Sequence, residues 1–400
     1  MSPAETDADD FLEDIYGPKK PTFTDAETRK FKPWHKPRKH YIRVKQWCAL
    51  VQRLIKKLGL KKGETLRYLG MPGEDFLDIR VLHGTCANAN VSMRYLGFDS
   101  TADFGGEYEL NLSRHEVYNL QFIDPMSVVV KDRVEHVALE KSAARVQLEK
   151  HGPFDVINLD LCDSIANPSD KKLNLYFEAL ATMCDLQVTN RAKPWMLFLT
   201  TRASRDQIDQ GTKNRLLDCI LSNIKSNADF AERLSKELNI DQSAIQAEMH
   251  GKEPLTHAEL VNAFGLGVGK WLLKLMMSAS PKLHVQLLES YSYRVDSKEP
   301  DMLSLAFWFE PVMEPRVDPT GLTRTQKPKP GASNNATEPE LALKLIKSIV
   351  DIADIDRLLH DAPDLNEQWI KKSAALLSQA RYNIDTYREW SLEEAPTELQ

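Results

Sequence analysis

GPFDVINLDLCDS, residues 152–164, opens on a turn dipeptide, crosses an apolar run through Val156, Ile157 and Leu159, and then reaches Asp160 and Asp163. Short apolar runs bounded by turn residues read as buried strands, and this one is placed at 154–161. The question it raises is what an acid at the end of a buried strand would face.

Outward from this strand the chain alternates. Strands are expected at 66–70, 93–99, 127–132 and 194–201 as well, with helices at 74–87, 112–122, 134–150 and 173–186 between them. Five strands alternating with helices imply a parallel, doubly wound sheet covered on both faces. Polar helices fill 205–277. Two further strands, 283–295 and 302–312, flank a six-residue polar loop and read as an antiparallel hairpin. The fold class is thus α/β: a doubly wound, mostly parallel seven-stranded sheet with a terminal antiparallel hairpin. The organisation is an acidic tail (1–28), a basic aromatic arm and helix (29–62), the sheet domain (63–313), a Pro/Gly/Asn/Thr-rich linker (314–340) and a C-terminal helical segment (341–400).

The 400 residues are 42% hydrophobic and 28% charged, an ordinary globular composition. Apolar runs stay well short of 18 residues, so no membrane span is expected. The acidic start does not read as a secretory signal, and five scattered cysteines fit reduced thiols. A cytoplasmic protein is expected. FGLGVGK (264–270) imitates a phosphate loop but lacks its spacing, and its glycines read as sites of bending or close helix packing.

In its order of elements, FDVINLDLCDS included, the chain resembles class I S-adenosylmethionine-dependent methyltransferases over roughly residues 60–313. Ligands of such sheets sit at the carboxyl ends of the strands, where strand order reverses. The resemblance implies S-adenosylmethionine as cofactor, Gly70 and Gly73 of LGMPGED as its loop, and Asp99 on its ribose. Asp132 would contact its adenine, and Asp160 would lie beside cofactor and acceptor, orienting the acceptor or acting as base. The glycine loop is thinner than the family's, and Tyr68-Leu69 stand where the family has an acid. Turn and helix capping remain the alternative roles for Asp99 and Asp160. The chain also looks similar to bacterial methyltransferase-like proteins found near defence genes.

Charge is concentrated. Residues 29–62 hold thirteen Lys or Arg and no carboxylate, while the chain as a whole is −6. Within that block Arg29, Lys30, Lys32, Lys36, Arg38, Lys39, Arg43 and Lys45 interleave with Trp34 and other aromatics. Cations attract phosphates and aromatics accept unstacked bases, so nucleic acid is one expected partner of residues 29–62. Packing of the arm onto the protein's own acidic surface competes with it, as does a protein partner. The expected function is a methyltransferase-like protein acting on or near nucleic acid. The alternative is a catalytically inactive scaffold whose C-terminal helices contact partners in a larger assembly.

Overall fold

A computed structural model describes residues 29–100, 107–167, 175–252, 255–295, 297–312, 320, 322 and 336–393. The acidic tail and most of the expected linker lie outside these residues.

The strands are β1 (Thr65–Gly70), β2 (Ser92–Phe98), β3 (Val128–Val130), β4 (Val156–Asp160), β5 (Trp195–Arg202), β6 (Leu283–Leu287), β7 (Tyr291–Tyr293), β8 (Met302–Pro311) and β9 (Ala353–Asp354). They form one sheet in the order β3-β2-β1-β4-β5-β8-β7-β9, with β6 also on β8. Strands β3, β2, β1, β4 and β5 run parallel, and β8 lies antiparallel to β5 over eight residues, Trp195↔Phe309 to Arg202↔Met302. The parallel core with a reversed strand was legible; the count of seven was not. The expected strand 283–295 is broken into β6 and β7, which pair with successive parts of β8, and the two-residue β9 extends the edge.

The helices are α1 (Pro37–Ile42), α2 (Ala49–Leu58), α3 (Leu77–Asn88), α4 (Glu107–Tyr118), α5 (Ala143–His151), α6 (Leu175–Asn190), α7 (Gln210–Ser226), α8 (Ala228–Leu238), α9 (Gln242–Met249), α10 (His257–Ser278), α11 (Glu338–Val350), α12 (Ile355–Asp361), α13 (Pro363–Gln379) and α14 (Tyr387–Glu393). A wide turn, Arg43–Cys48, joins α1 to α2 without a break. The helix expected at 134–150 is instead a short 3₁₀ turn, Val134–Ala138, followed by α5.

Alternation along the strands builds two cores. Leu69, Ile157, Leu197, Leu199 and Phe307 face the cluster that holds α5 to α11. Tyr68, Val156, Met196, Phe198 and Trp308 face the cluster under α1, α2 and α3. A strand covered on both faces has no solvent side, which explains why β4 and β5 read as continuous apolar runs. A third cluster packs α13 and α14 against Leu77 and Phe31.

Counting uninterrupted apolar runs gave no span, yet α10 is 22 residues long and apolar enough on average to cross a bilayer. Its burial explains the composition: Leu260, Phe264, Leu266, Leu272 and Leu273 are inside the larger core. Its glycines serve close packing. A Cβ at Gly267 would come within 2.8 Å of the Leu216 Cβ on α7, and one at Gly265 within 3.2 Å of Ile349 on α11.

Candidate functional site

Strand order reverses between β1 and β4, and the carboxyl ends of both strands open on the same rim. Register places the residues expected there. Gly70 ends β1 opposite Gly97, Asp99 immediately follows β2, and Asp160 ends β4 opposite Thr200 of β5. Gly70, Asp99 and Asp160 therefore lie along one edge of the parallel sheet.

Gly70 has a structural reason to be glycine. A Cβ there would sit 2.6 Å from two ring carbons of Tyr68, whose side chain folds back beneath the loop. The Tyr68 hydroxyl donates to Asp78 on α3 and accepts from Asn158 Nδ2 at 3.0 Å. The residue standing where the family has an acid thus ties strand to helix inside the core. Burial pushes the Tyr68 phenol up, and the Asp78 carboxylate beside it pushes the same way. Burial also raises the Asp78 carboxyl, against the Tyr68 hydrogen bond. Gly73 differs: its φ of +57° is the left-handed region glycine tolerates, and nothing lies within 4 Å of an added Cβ.

Asp132 sits two residues beyond β3. Its carboxylate accepts from Arg133 N–H at 2.8 Å, His136 Nδ1 at 2.6 Å and Ala144 N–H at 3.0 Å. Burial opposes its charge, but these bonds hold its pKa below the usual carboxylate range. In this geometry it anchors the turn into α5.

Asp160, its side chain 20% exposed, faces Lys39. The ammonium forms an ion pair with Asp160 and lies 3.4 Å from both Thr200 Oγ1 and Tyr293 Oη. The Lys39 side chain is buried, with the Trp47 ring 5.2 Å away. Burial alone would lower the lysine pKa, yet the Asp160 carboxylate and the Tyr293 phenol carry it above the ordinary value.

Lys39 is one stitch in a longer strap. Arg29 donates to Asp75 Oδ1 at 2.6 Å, Lys32 to Glu74 at 2.6 Å, Lys36 to the Trp390 carbonyl at 2.9 Å and Arg38 to Asp356 at 3.0 Å. Arg43 is buried and donates to the Trp34 carbonyl at 3.2 Å. Prolines 33 and 37 begin the short helical turns that carry the strap across the rim. Asp75 is its hub. His35 Nδ1 accepts the Lys32 N–H at 3.0 Å, so His35 Nε2 donates to Asp75 Oδ2 at 3.1 Å; the Tyr382 hydroxyl lies 3.1 Å from the same oxygen. Burial lowers the His35 pKa and favours this neutral tautomer. Asp75 is held below the usual range, because His35 and Arg29 outweigh its burial. The C-terminal segment closes over the strap: the Tyr387 hydroxyl donates to the His35 carbonyl at 2.6 Å, and the Lys36 ammonium sits 3.8 Å from the Trp390 ring centre.

Of the residues expected to meet nucleic acid, Arg29, Lys32, Lys36, Arg38, Lys39 and Arg43 are thus engaged within the chain. Lys30 and Lys45 are exposed, and Trp34 is 37% exposed. Sequence reasoning missed Asp75, Asp78, Tyr293, Tyr382 and Asp356. Asp75 carried a local signal, as an acid beside the glycine loop, and Asp78 lies on the helix just after it; Tyr293, Tyr382 and Asp356 come from distant segments. Among the described residues no group of three or more His, Cys, Asp or Glu is placed to hold a metal ion.

The sequence model of a protein family described as PP_RS20740-like matches residues 28–392. Curated proteins give no match. Among solved structures the chain is similar to TrmN from Thermus thermophilus, at 10% identity and a TM-score of 0.27, covering 66% of this chain and 49% of that one. It is similar to a putative class I S-adenosylmethionine-dependent methyltransferase from Listeria monocytogenes, at 14% identity and TM-score 0.31, covering 76% and 69%. A third is loganic acid methyltransferase with SAH, at 7% identity and TM-score 0.30, covering 71% and 98%. The match to TrmN spans about half of that protein's length. These likenesses are too distant to carry chemistry, and the architecture above rests on the sheet order itself.

Proposed function

This chain belongs to the PP_RS20740-like family, and from that premise we propose that it is a methyltransferase-like protein binding S-adenosylmethionine or a related adenosine ligand, held with its acceptor side closed. The observation that carries the reading is the Lys39–Asp160 pair at the end of β4. On the β1–β2 half of the rim the residues fit such a ligand. Gly73 leaves open space beside the loop, and Asp99, 5% exposed, stands just after β2, at the position whose carboxylate would accept ribose hydroxyls. On the β4–β5 half, the place beside Asp160 is filled by the chain's own ammonium.

When bound, S-adenosylmethionine supplies an electrophilic methyl group. The protein's part is then positioning and exclusion of water. Asp160 becomes available to orient an acceptor, or take its proton, only when Lys39 withdraws. The strap is held by polar contacts at the rim and by the packing of Phe31 on Tyr382, Tyr387 and Trp390, and its first segment would lift from both while α2 stays docked through its apolar face. Action on or near nucleic acid belongs to the same reading.

The second reading is a catalytically inactive scaffold within a larger assembly, such as a defence-related one, with the C-terminal helices as protein contacts. The engagement of Asp132 and Asp160 inside the chain favours it. Calorimetry with S-adenosylhomocysteine separates the two. Saturable binding, weakened at least tenfold by Asp99→Ala, is the expected result. No heat and no thermal shift at millimolar ligand would leave only the scaffold.

A further inference from the structure

The thirteen cations of residues 29–62 do not share one environment. Those up to Arg43, Lys30 excepted, are engaged within the chain, whereas Lys45, Arg53, Lys56, Lys57, Lys61 and Lys62 are exposed. On the continuous helix through α2, residues 45, 49, 52, 53 and 56 recur at intervals of three and four and share the solvent face. Lys61 and Lys62 continue the same sign in the turn after Gly59. From Lys45 to Lys56 the row runs roughly 15 Å along the helix. Two carboxylates border it: Glu310, held by Lys57 at 2.7 Å, and Glu64, whose Oε2 accepts the Lys61 N–H at 2.6 Å. Arg53 is oriented by the Trp308 ring, 5.5 Å from its guanidinium carbon.

We propose that this outer face of α2 and the turn after it form a sequence-independent binding surface for the phosphodiester backbone of a nucleic acid. The proposal rests on the nucleic-acid part of the functional reading and moves the contact from the strap to the helix behind it. Charge complementarity selects the occupant: a line of cations matches a line of phosphates, and the rest of the chain, net −19, repels a polyanion elsewhere. The other occupants of a basic helix lack what they need. Leu50, Val51, Leu54 and Ile55 are buried against the sheet, so no apolar stripe is left to enter a bilayer. The exposed face also offers no aromatic or aliphatic anchor of the kind that centres a protein interface.

The probe is a fluorescein-labelled single-stranded 20-mer titrated with the full chain. Five neutralised phosphates predict a loss of about 100-fold in affinity between 50 and 200 mM salt. Replacing Lys45, Arg53, Lys56, Lys61 and Lys62 with Gln should remove most of the binding and flatten the salt slope, with the melting temperature unchanged. The exposed pair Lys225→Gln and Lys236→Gln on α7 and α8 should change neither. Binding that survives the fivefold variant overturns this surface while leaving a nucleic-acid role intact. No binding of the wild type at 50 mM salt overturns both. Equal or tighter binding to vesicles of anionic lipid would reassign the surface to a membrane. Binding of S-adenosylhomocysteine is read separately, so failure of the cofactor site is not confused with any of these.

Discussion

The strap and the helix that follows it are drawn from one uninterrupted cationic stretch, yet they solve opposite problems. Residues 29–43 bring positive charge to the acidic rim of the sheet and meet Glu74, Asp75, Asp160 and Asp356. Residues 45–62 turn their apolar side to the sheet and their cations to water. The difference lies in periodicity. In α2 the charges avoid the positions that face the core. In the strap no apolar stripe sets them apart, and partners brought from three distant segments decide their fate.

The strongest test of this contrast is Asp75→Ala. It strips the acceptor from Arg29, His35 and Tyr382; Arg29 keeps Glu74 and Glu109 within 3.6 Å, but the buried His35 and Tyr382 donors lose their partner, so a loss of about 2–4 kcal/mol is expected in urea unfolding. A loss below about 1 kcal/mol would mean that the hub does not hold the strap.

Lys39→Met comes next. Asp160 keeps some access to water, its side chain being 20% exposed, so the loss should be about 2 kcal/mol rather than the full cost of a broken buried pair. Adding Asp160→Asn should restore part of it, and a double-mutant cycle measures the coupling. Purely additive effects would show that the ion pair contributes nothing to closure.

Acid separates the two regions by a different route. His40 is buried on the strap side, and burial, aided by Arg43 and Lys372, lowers its pKa to about 3. A base whose folded pKa is depressed takes up its proton first in the unfolded chain. Its contribution is therefore complete above the ordinary histidine value of about 6.5 and is lost as pH falls from there towards 3. The slope approaches about 1.4 kcal/mol per pH unit, or about 2 kcal/mol between pH 6.5 and 5. His35 acts in the same direction. Urea midpoints at pH 7, 6 and 5 should show this slope in the wild type and a shallower one in His40→Phe.

The smallest effect is expected outside. Lys56→Gln and Lys61→Gln should each change stability by no more than about 0.5 kcal/mol, because both side chains are exposed and neither ammonium is paired among the described residues. A larger loss from either would make the outer row part of the protein's own packing and erase the distinction.

Much of the rim was readable in advance. Val156 to Asp160 announced a buried strand ending in acid, and the alternation of strands and helices placed Gly70, Asp99 and Asp160 on one edge. The break at Leu288–Ser290 was not readable, because β6 and β7 are each continued by pairing with β8 rather than by their own pattern. Gly70 looked like an opening for a ligand. Its neighbour Tyr68 shows that close packing demands it equally, and a bare glycine in a sequence does not say which atom will approach it.

The order of short apolar runs settled the layered sheet, because a strand buried on both faces must be apolar throughout and a helix on a sheet must be apolar along one stripe. Those are local requirements, written within ten or so residues. What Asp160 faces is a different kind of fact. Lys39 and Asp160 are 121 residues apart, and Asp75 and Tyr382 are 307 apart. Only the closed fold brings such groups within hydrogen-bonding distance, where their contacts offset the cost of leaving water.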